Sequence, residues 1–339
     1  LIILICNVVK TYLIIFTVLL SSCTSSSIQN SPEIYKEIVT ENNLEILEID
    51  ENKKFLDFLE NDWNKTLDEN PLFASYVGDK RLNDKINPNT IEQFDKEKQS
   101  SIESLNDLQT INVSNLSDDN VLNYKLYEFG VRRNIEIANF PTYFLRINQR
   151  GGIQSFYETG NRLVYTSSQD YYDWYSRLEQ FSNNIKTFLE INKVGLTKGI
   201  TQPKIITQGV VLQIDTIINS NIDSNPYMKV FLEADENLIS SSEKTTLINR
   251  AKELITNKII PAYVDLNDFL KKEYLPNSRD SIGISDVPGG KEYYEYLSKF
   301  YTTTNLTPDE IHQIGLEEIV RIRSEMEAII TQVLSLIHI

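Results

Sequence analysis

Imidazoles, thiols and closely spaced carboxylates are the side chains that could do chemistry here, and the chain is poor in the first two. It has two histidines, His312 and His338, and two cysteines, Cys6 and Cys23, among 339 residues. A metal-assisted hydrolase holds its ion with imidazole and carboxylate groups about one helical turn apart, beside a Glu that activates the bound water. His312 is followed by Gln313, and no second His stands one turn on. With no His–Glu…His pattern, no residue of this chain is assigned as a catalytic group or a metal ligand. Glu317, Glu318 and Glu325 read as a solvated face rather than a carboxylate metal site. GxSxG, P-loop and GxGxxG signatures are absent from the sequence. A serine nucleophile would have only His312 or a lysine as its base. His312 has two readings: a pocket residue near a substrate, or, the favoured one, a buried histidine bonded to backbone beside Gly315, where another helix could approach closely.

Cys23 carries a more specific signal. Residues 1–22, LIILICNVVKTYLIIFTVLLSS, place Lys10 before the apolar run from Tyr12 to Leu20, the makeup of a secretory leader rather than a spanning helix. Leu20-Ser21-Ser22-Cys23 is a lipobox, in which the Cys23 thiol is lipidated and becomes the new N-terminus. The alternatives are an ordinary leader with an incidental cysteine, and an uncleaved anchor helix, for which Lys10 is awkward. Cys6 lies in the discarded part, so no disulfide framework is expected. Thr24 stands where an Asp would signal inner-membrane retention. The expected location is therefore the cell envelope, lipid-anchored at Cys23 and, for a Gram-negative source, on the outer membrane facing the periplasm. A cysteine bearing several acyl chains anchors stably.

Helices must position whatever the chain does. After the leader, residues 23–54 read as a polar tether, Ser-rich at first and then acidic. Compact structure is expected from Phe55, with Phe55, Phe58, Leu59 and Trp63 on one helical stripe ahead of the Asn70-Pro71 break. Ser117 caps a predicted helix through Ile137 that buries Val121, Leu122, Tyr124, Leu126, Tyr127 and Val131. Residues 140–158, with Gly151-Gly152, break the pattern as an irregular loop or short hairpin. Ser167 and Asp170 form a capping box for a helix burying Tyr171, Trp174, Tyr175, Leu178, Phe181, Ile185, Phe188 and Leu189 until Gly195. Pro203 starts another through Ile218, and residues 242–275 read as one or two long helices, kinked at Pro261 if continuous. Thr307, Pro308 and Glu310 spell the entry of a last helix, with Ile311, Ile314, Ile319, Ile322, Met326, Ile329 and Ile330 on a stripe suited to burial. About eight to ten helices and little period-two alternation make the expected fold all-α.

Composition narrows the partners. With Asp+Glu at 48 against Lys+Arg at 33, the formal net charge is −15. A phosphate-backbone partner needs clustered cations, and basic pairs such as Lys271-Lys272 are isolated, so no nucleic acid is expected. The methionines are Met228 and Met326 only. Position 1 is Leu, which suggests either an alternative start near Val8 or Val9 or a sequence running in from upstream. The final hexapeptide, residues 334–339, LSLIHI, reads like a sequencing adaptor, so native sequence is expected to end near Val333.

The wording of several segments resembles one family. These are Phe58 to Asp84, Ile147 to Phe156, Gly199 to Asp215, Ala262 to Pro276, and above all PGGKEYYEYL and LTPDEIHQIGLEEIVRIRSEM from Pro288 to Met326. Together they resemble the bacterial family of domain of unknown function 885, whose members are often lipoproteins and which looks related to helical zinc peptidases. The resemblance implies an N-terminal, multi-helix part spanning 55–333, with a His–Glu metal helix further downstream and no cofactor in this chain. Zinc would belong to the full-length protein, a peptide would be the substrate, and attack of metal-activated water on a peptide or amide carbonyl the reaction. The alternative function is a non-catalytic periplasmic lipoprotein that binds peptides or other ligands. Resemblance and loop chemistry together nominate Gln149, Gly151, Gly152, Gly289, Gly290, Tyr294 and His312 as pocket-lining residues.

Overall fold

The structure, a computed structural model, describes residues 50–337. The expected leader, Cys23, most of the expected tether and His338 lie outside the described residues. Helix α1 (Glu51–Glu69) opens at a cap made by Asp50, whose side chain accepts from the Asn52 and Lys53 amides. Residues 51–54 thus belong to a helix rather than to the tether, because a local carboxylate cap outweighs their polar composition. There follow α2 (Pro71–Tyr76), α3 (Ile91–Leu108), α4 (Asp118–Ile137), α5 (Tyr157–Arg162), α6 (Ser168–Thr197), α7 (Lys204–Asn219) and α8 (Lys229–Leu232). Then come α9 (Ser241–Leu254), α10 (Ile260–Phe269), α11 (Gly290–Thr302) and α12 (Pro308–Ile337). No β-strand forms among the described residues, and the fold is all-α. No described helix is long and apolar enough to cross a membrane.

Helix α6 is the axis of the larger core. Its capping box joins Ser167 and Asp170, and all eight residues of its expected apolar face are buried. Each such side chain withdrawn from water contributes about 1.5–3 kcal/mol. Against it pack α9 and α10, with α7 packed on α10 in turn, and Phe181, Ile214, Met228, Leu247, Tyr263 and Leu266 meet in one cluster. Gly195 does not end α6. It lies inside the last turns, where an added Cβ would sit 3.1 Å from Phe144, and the chain instead leaves through Gly199 at φ +71°.

The run from α9 through α10 is continuous, with wide π turns at Ile255–Ile259 and Leu270–Tyr274. Proline lacks an amide hydrogen and its ring presses on the carbonyl four residues back. The first wide turn lies immediately before Pro261 and relieves that crowding. Residues 140–158 carry short 3-10 turns and no hairpin.

A second, smaller core joins α1, α3 and α4 through Phe55, Leu108, Ile111, Tyr124, Tyr127 and Val131. Leu122 and Leu126, expected inside, are 59% and 38% exposed. The period of α4 supports two apolar rows, and only the one containing the tyrosines faces this core. Buried Arg177 of α6 ties the segment after α2 to the main body, donating to the Lys85 carbonyl at 2.9 Å and the Ser75 hydroxyl at 2.6 Å. Helix α12 has the expected entry, since Thr307 N–H donates to Glu310 Oε2 at 2.7 Å and Glu310 N–H to Thr307 Oγ1 at 3.2 Å. Its apolar row lies open in this chain: Ile319 is 62% and Met326 57% exposed.

Candidate functional site

The loops nominated from sequence pack on different elements. Gln149 is exposed; its carbonyl accepts from Gln213 Nε2 of α7 at 2.9 Å. Gly151 has open space where a Cβ would stand, whereas at Gly152 a Cβ would lie 2.5 Å from both the Asn148 carbonyl oxygen and Gln154 Oε1. Gln154, which the sequence did not mark, is the buried anchor of this loop. Its Nε2 donates to the Asn148 carbonyl at 2.9 Å and to Gln213 Oε1 at 2.7 Å. The loop is therefore clamped to α7 by a pair of glutamines.

Gly289 and Gly290 serve the entry of α11. Gly289 sits at φ +73°, and a Cβ on Gly290 would fall 1.8 Å from the Ile284 carbonyl oxygen. Both glycines are thus required by the backbone. Tyr294 is 51% exposed. Its neighbours Tyr293 and Tyr296 pack against Phe140 as tilted ring pairs, with centroids 5.1 Å and 5.3 Å away. His312 is exposed on the first turns of α12 and Gly315 meets nothing within 4 Å. The buried reading of His312 does not fit, because α12 presents this stretch to solvent rather than to another helix.

A concavity lies elsewhere. Between α1 and α3 opens a cleft of about 600 Å³, edged by Lys53, Lys54, Lys65, Asp57 and Asp107, with Asp62 and Ser104 at its base. None of the residues nominated from sequence lines it. Ser104 Oγ donates to Asp62 Oδ1 at 2.5 Å, both groups being buried. Beside them, burial and then the Asp62 charge push the Tyr127 phenol well above its ordinary range. The cations along the edge are answered internally: Lys53 by Asp57 at 2.7 Å and Lys65 by Glu103 at 3.0 Å. The cleft offers charge-balanced polar contact, with no imidazole or thiol among its lining residues. Among the described residues no group of three His, Cys, Asp or Glu side chains could hold a metal ion.

A helical scaffold with a polar cleft and no metal site among its described residues is the class that fold and geometry define. Residues 71–337 match the model of a family described as bacterial protein of unknown function (DUF885), and the chain belongs to that family. The expected resemblance is thereby borne out at the level of family. Its fold is similar to the crystal structure of a candidate lipoprotein from Colwellia psychrerythraea, with 21% identity and a TM-score of 0.67 over 82% of this chain and 50% of that one. The chain therefore spans about half the length of that solved protein. No curated protein matches it.

Proposed function

We propose that the chain is the helical scaffold of a lipid-anchored envelope protein that hydrolyses peptide or amide bonds. The zinc ligands would stand in a further part of the full-length protein. The observation that carries this reading is α12, whose apolar row from Ile314 to Leu334 is about half exposed or more at each position. A monomer rarely leaves so long an apolar stripe uncovered, and the solved relative has as much chain again. The residues described here do not fit a zinc ion, so no step of the reaction is assigned to them. Their role would be to form one wall of a substrate channel, held at the outer membrane facing the periplasm by lipid on Cys23.

A second reading, capture of peptides or other ligands without cleavage, draws support from the α1–α3 cleft, which is concave and lined by charged and polar side chains with no imidazole or thiol among them. Metal analysis and peptide hydrolysis by the full-length protein separate the two. Near one zinc per chain with cleavage supports the hydrolase; a metal-free protein that retains peptides supports the binder. The 339-residue chain alone is expected to hold no zinc and cleave nothing. A stoichiometric ion lost on His312→Ala would overturn that expectation.

A further inference from the structure

Helix α4 carries two apolar rows where a helix at the edge of a domain ordinarily carries one. The row of Tyr124, Tyr127 and Val131 is in the small core. The other, Leu122, Leu126 and Phe129, recurs at four and three residues and is 59%, 38% and 49% exposed. It leads to Arg133, one turn further on. The Arg133 guanidinium carbon lies 4.9 Å from the Phe129 ring centroid and 3.4 Å from that of Phe300 in α11. Arg133 therefore closes the space between α4 and α11. Phe300 in turn packs on Tyr301, which is 57% exposed, a few residues before α12 and its own uncovered row.

We propose that Leu122, Leu126 and Phe129 form a second docking row, used together with α12, and that its occupant is the further part of the full-length protein. This rests on the scaffold reading above. Two observations favour that occupant. The solved relative has half its chain beyond the match, enough to cover two separated rows at once. Arg133, at the end of the row, lies over ring faces and donates to the Phe300 carbonyl at 3.2 Å, so it belongs to the joint with α11 rather than to the open surface. Leu122, Leu126 and Phe129 are themselves apolar, and an apolar helix face in the same polypeptide meets them at high effective concentration.

The test uses the full-length protein with single cysteines at Leu126→Cys and Phe129→Cys, and Val164→Cys as the open reference, being 72% exposed. Maleimide labelling at the first two is expected to be at least tenfold slower than at the third; equal rates overturn the proposal. A photo-crosslinking phenylalanine analogue at position 129 then identifies the cover. A crosslink to residues of the same chain beyond 339 supports it, while a crosslink between copies or to another protein overturns it, as does a locus encoding nothing further. Zinc content is read on the same samples. Protected cysteines in a zinc-free protein leave the docking row standing and remove the hydrolase reading; free cysteines in a zinc-loaded, active protein do the reverse.

Discussion

The guanidinium of Arg133 lies 3.4 Å over the ring of Phe300 and joins two helices far apart in sequence. Tyr296 adds to the joint by donating its hydroxyl to the Arg133 carbonyl at 3.1 Å. A partly desolvated cation over a ring contributes about 0.5–2 kcal/mol. Arg133→Ala and Phe300→Leu should each lower stability by about 1–2 kcal/mol in urea unfolding. The double variant should cost clearly less than the sum of the two; strict additivity would show that the stack contributes nothing.

Asp170 sets an acid limit. It accepts from the Thr166 and Ser167 amides at 2.7 Å and 2.9 Å and from Lys80 Nζ at 2.7 Å. Burial works against its charge, but the Lys80 ammonium and the two amides outweigh it and hold the carboxyl below its ordinary 3.8. A depressed folded value stabilises fully above the unfolded one, and that contribution is lost as pH falls. Stability should therefore decline below about pH 4. Asp170→Asn should cost about 2 kcal/mol at pH 7, Lys80 being partly exposed, and should flatten the acid limb of a stability–pH curve. An unchanged limb would remove Asp170 from the account.

Two buried phenols set the alkaline limit. The Tyr263 hydroxyl donates to the Ile153 carbonyl at 2.9 Å, so the 2.7 Å contact with Tyr227 must be a bond that Tyr227 donates. Tyr263→Phe strands two buried groups and should cost about 2–3 kcal/mol, while Tyr227→Phe removes a single donor and should cost about 1 kcal/mol. Burial raises both phenols above their ordinary 10.0. Their contribution is then complete below pH 10 and lost at higher pH as the unfolded chain ionises first. Equal losses in the two variants would reverse the donor assignment.

Alanine at the glycines separates backbone need from ligand contact. Gly290→Ala meets the Ile284 carbonyl and Gly152→Ala meets Asn148, and each should cost about 1–3 kcal/mol. Gly151→Ala has open space and should stay within about 0.5 kcal/mol. Thermal melts of the three settle the order. A Gly151→Ala as damaging as the others would mean that something else contacts that turn.

Polar substitutions on α12 should behave unlike those in the core. Ile319→Asp and Met326→Glu in the 339-residue chain should leave unfolding unchanged within about 0.5 kcal/mol and raise the concentration at which the protein aggregates. Ile214→Ala, at a fully buried position, should cost about 2–5 kcal/mol. Loss of stability in the α12 variants would show that the row is already covered.

Much of the fold was legible because local chemistry announces helices. Ser167 with Asp170 and Thr307 with Glu310 marked two long helices at their first turns, and the aromatic spacing of α6 named its buried face. What spacing cannot tell is which of two apolar rows meets the core, and so Leu122 and Leu126 were placed inside. Burial of His312 was misjudged for a similar reason: a glycine nearby permits close approach but does not supply a neighbour. Gln154 and Arg177 escaped notice because their partners lie 59 and more than 90 residues away in sequence, and nothing local singles them out. The polar cleft was invisible for the same reason, being assembled by α1 and α3 from residues that look individually like ordinary surface.

The wide turns at 255–259 and 270–274 act as phase shifters for the long helix that contains them. Each holds more residues per turn than a regular α-helix, whose residues advance by about 100°. If the same residues ran on in regular α form, with no wide turn to absorb the extra one, everything beyond would swing by that angle. Tyr263 would then leave the interior while exposed Asp265 and Asp268 turned toward it. A single-residue deletion within either wide turn should accordingly be far better tolerated than one in the middle of α6, which has no such turn and would put the rest of its buried face out of step.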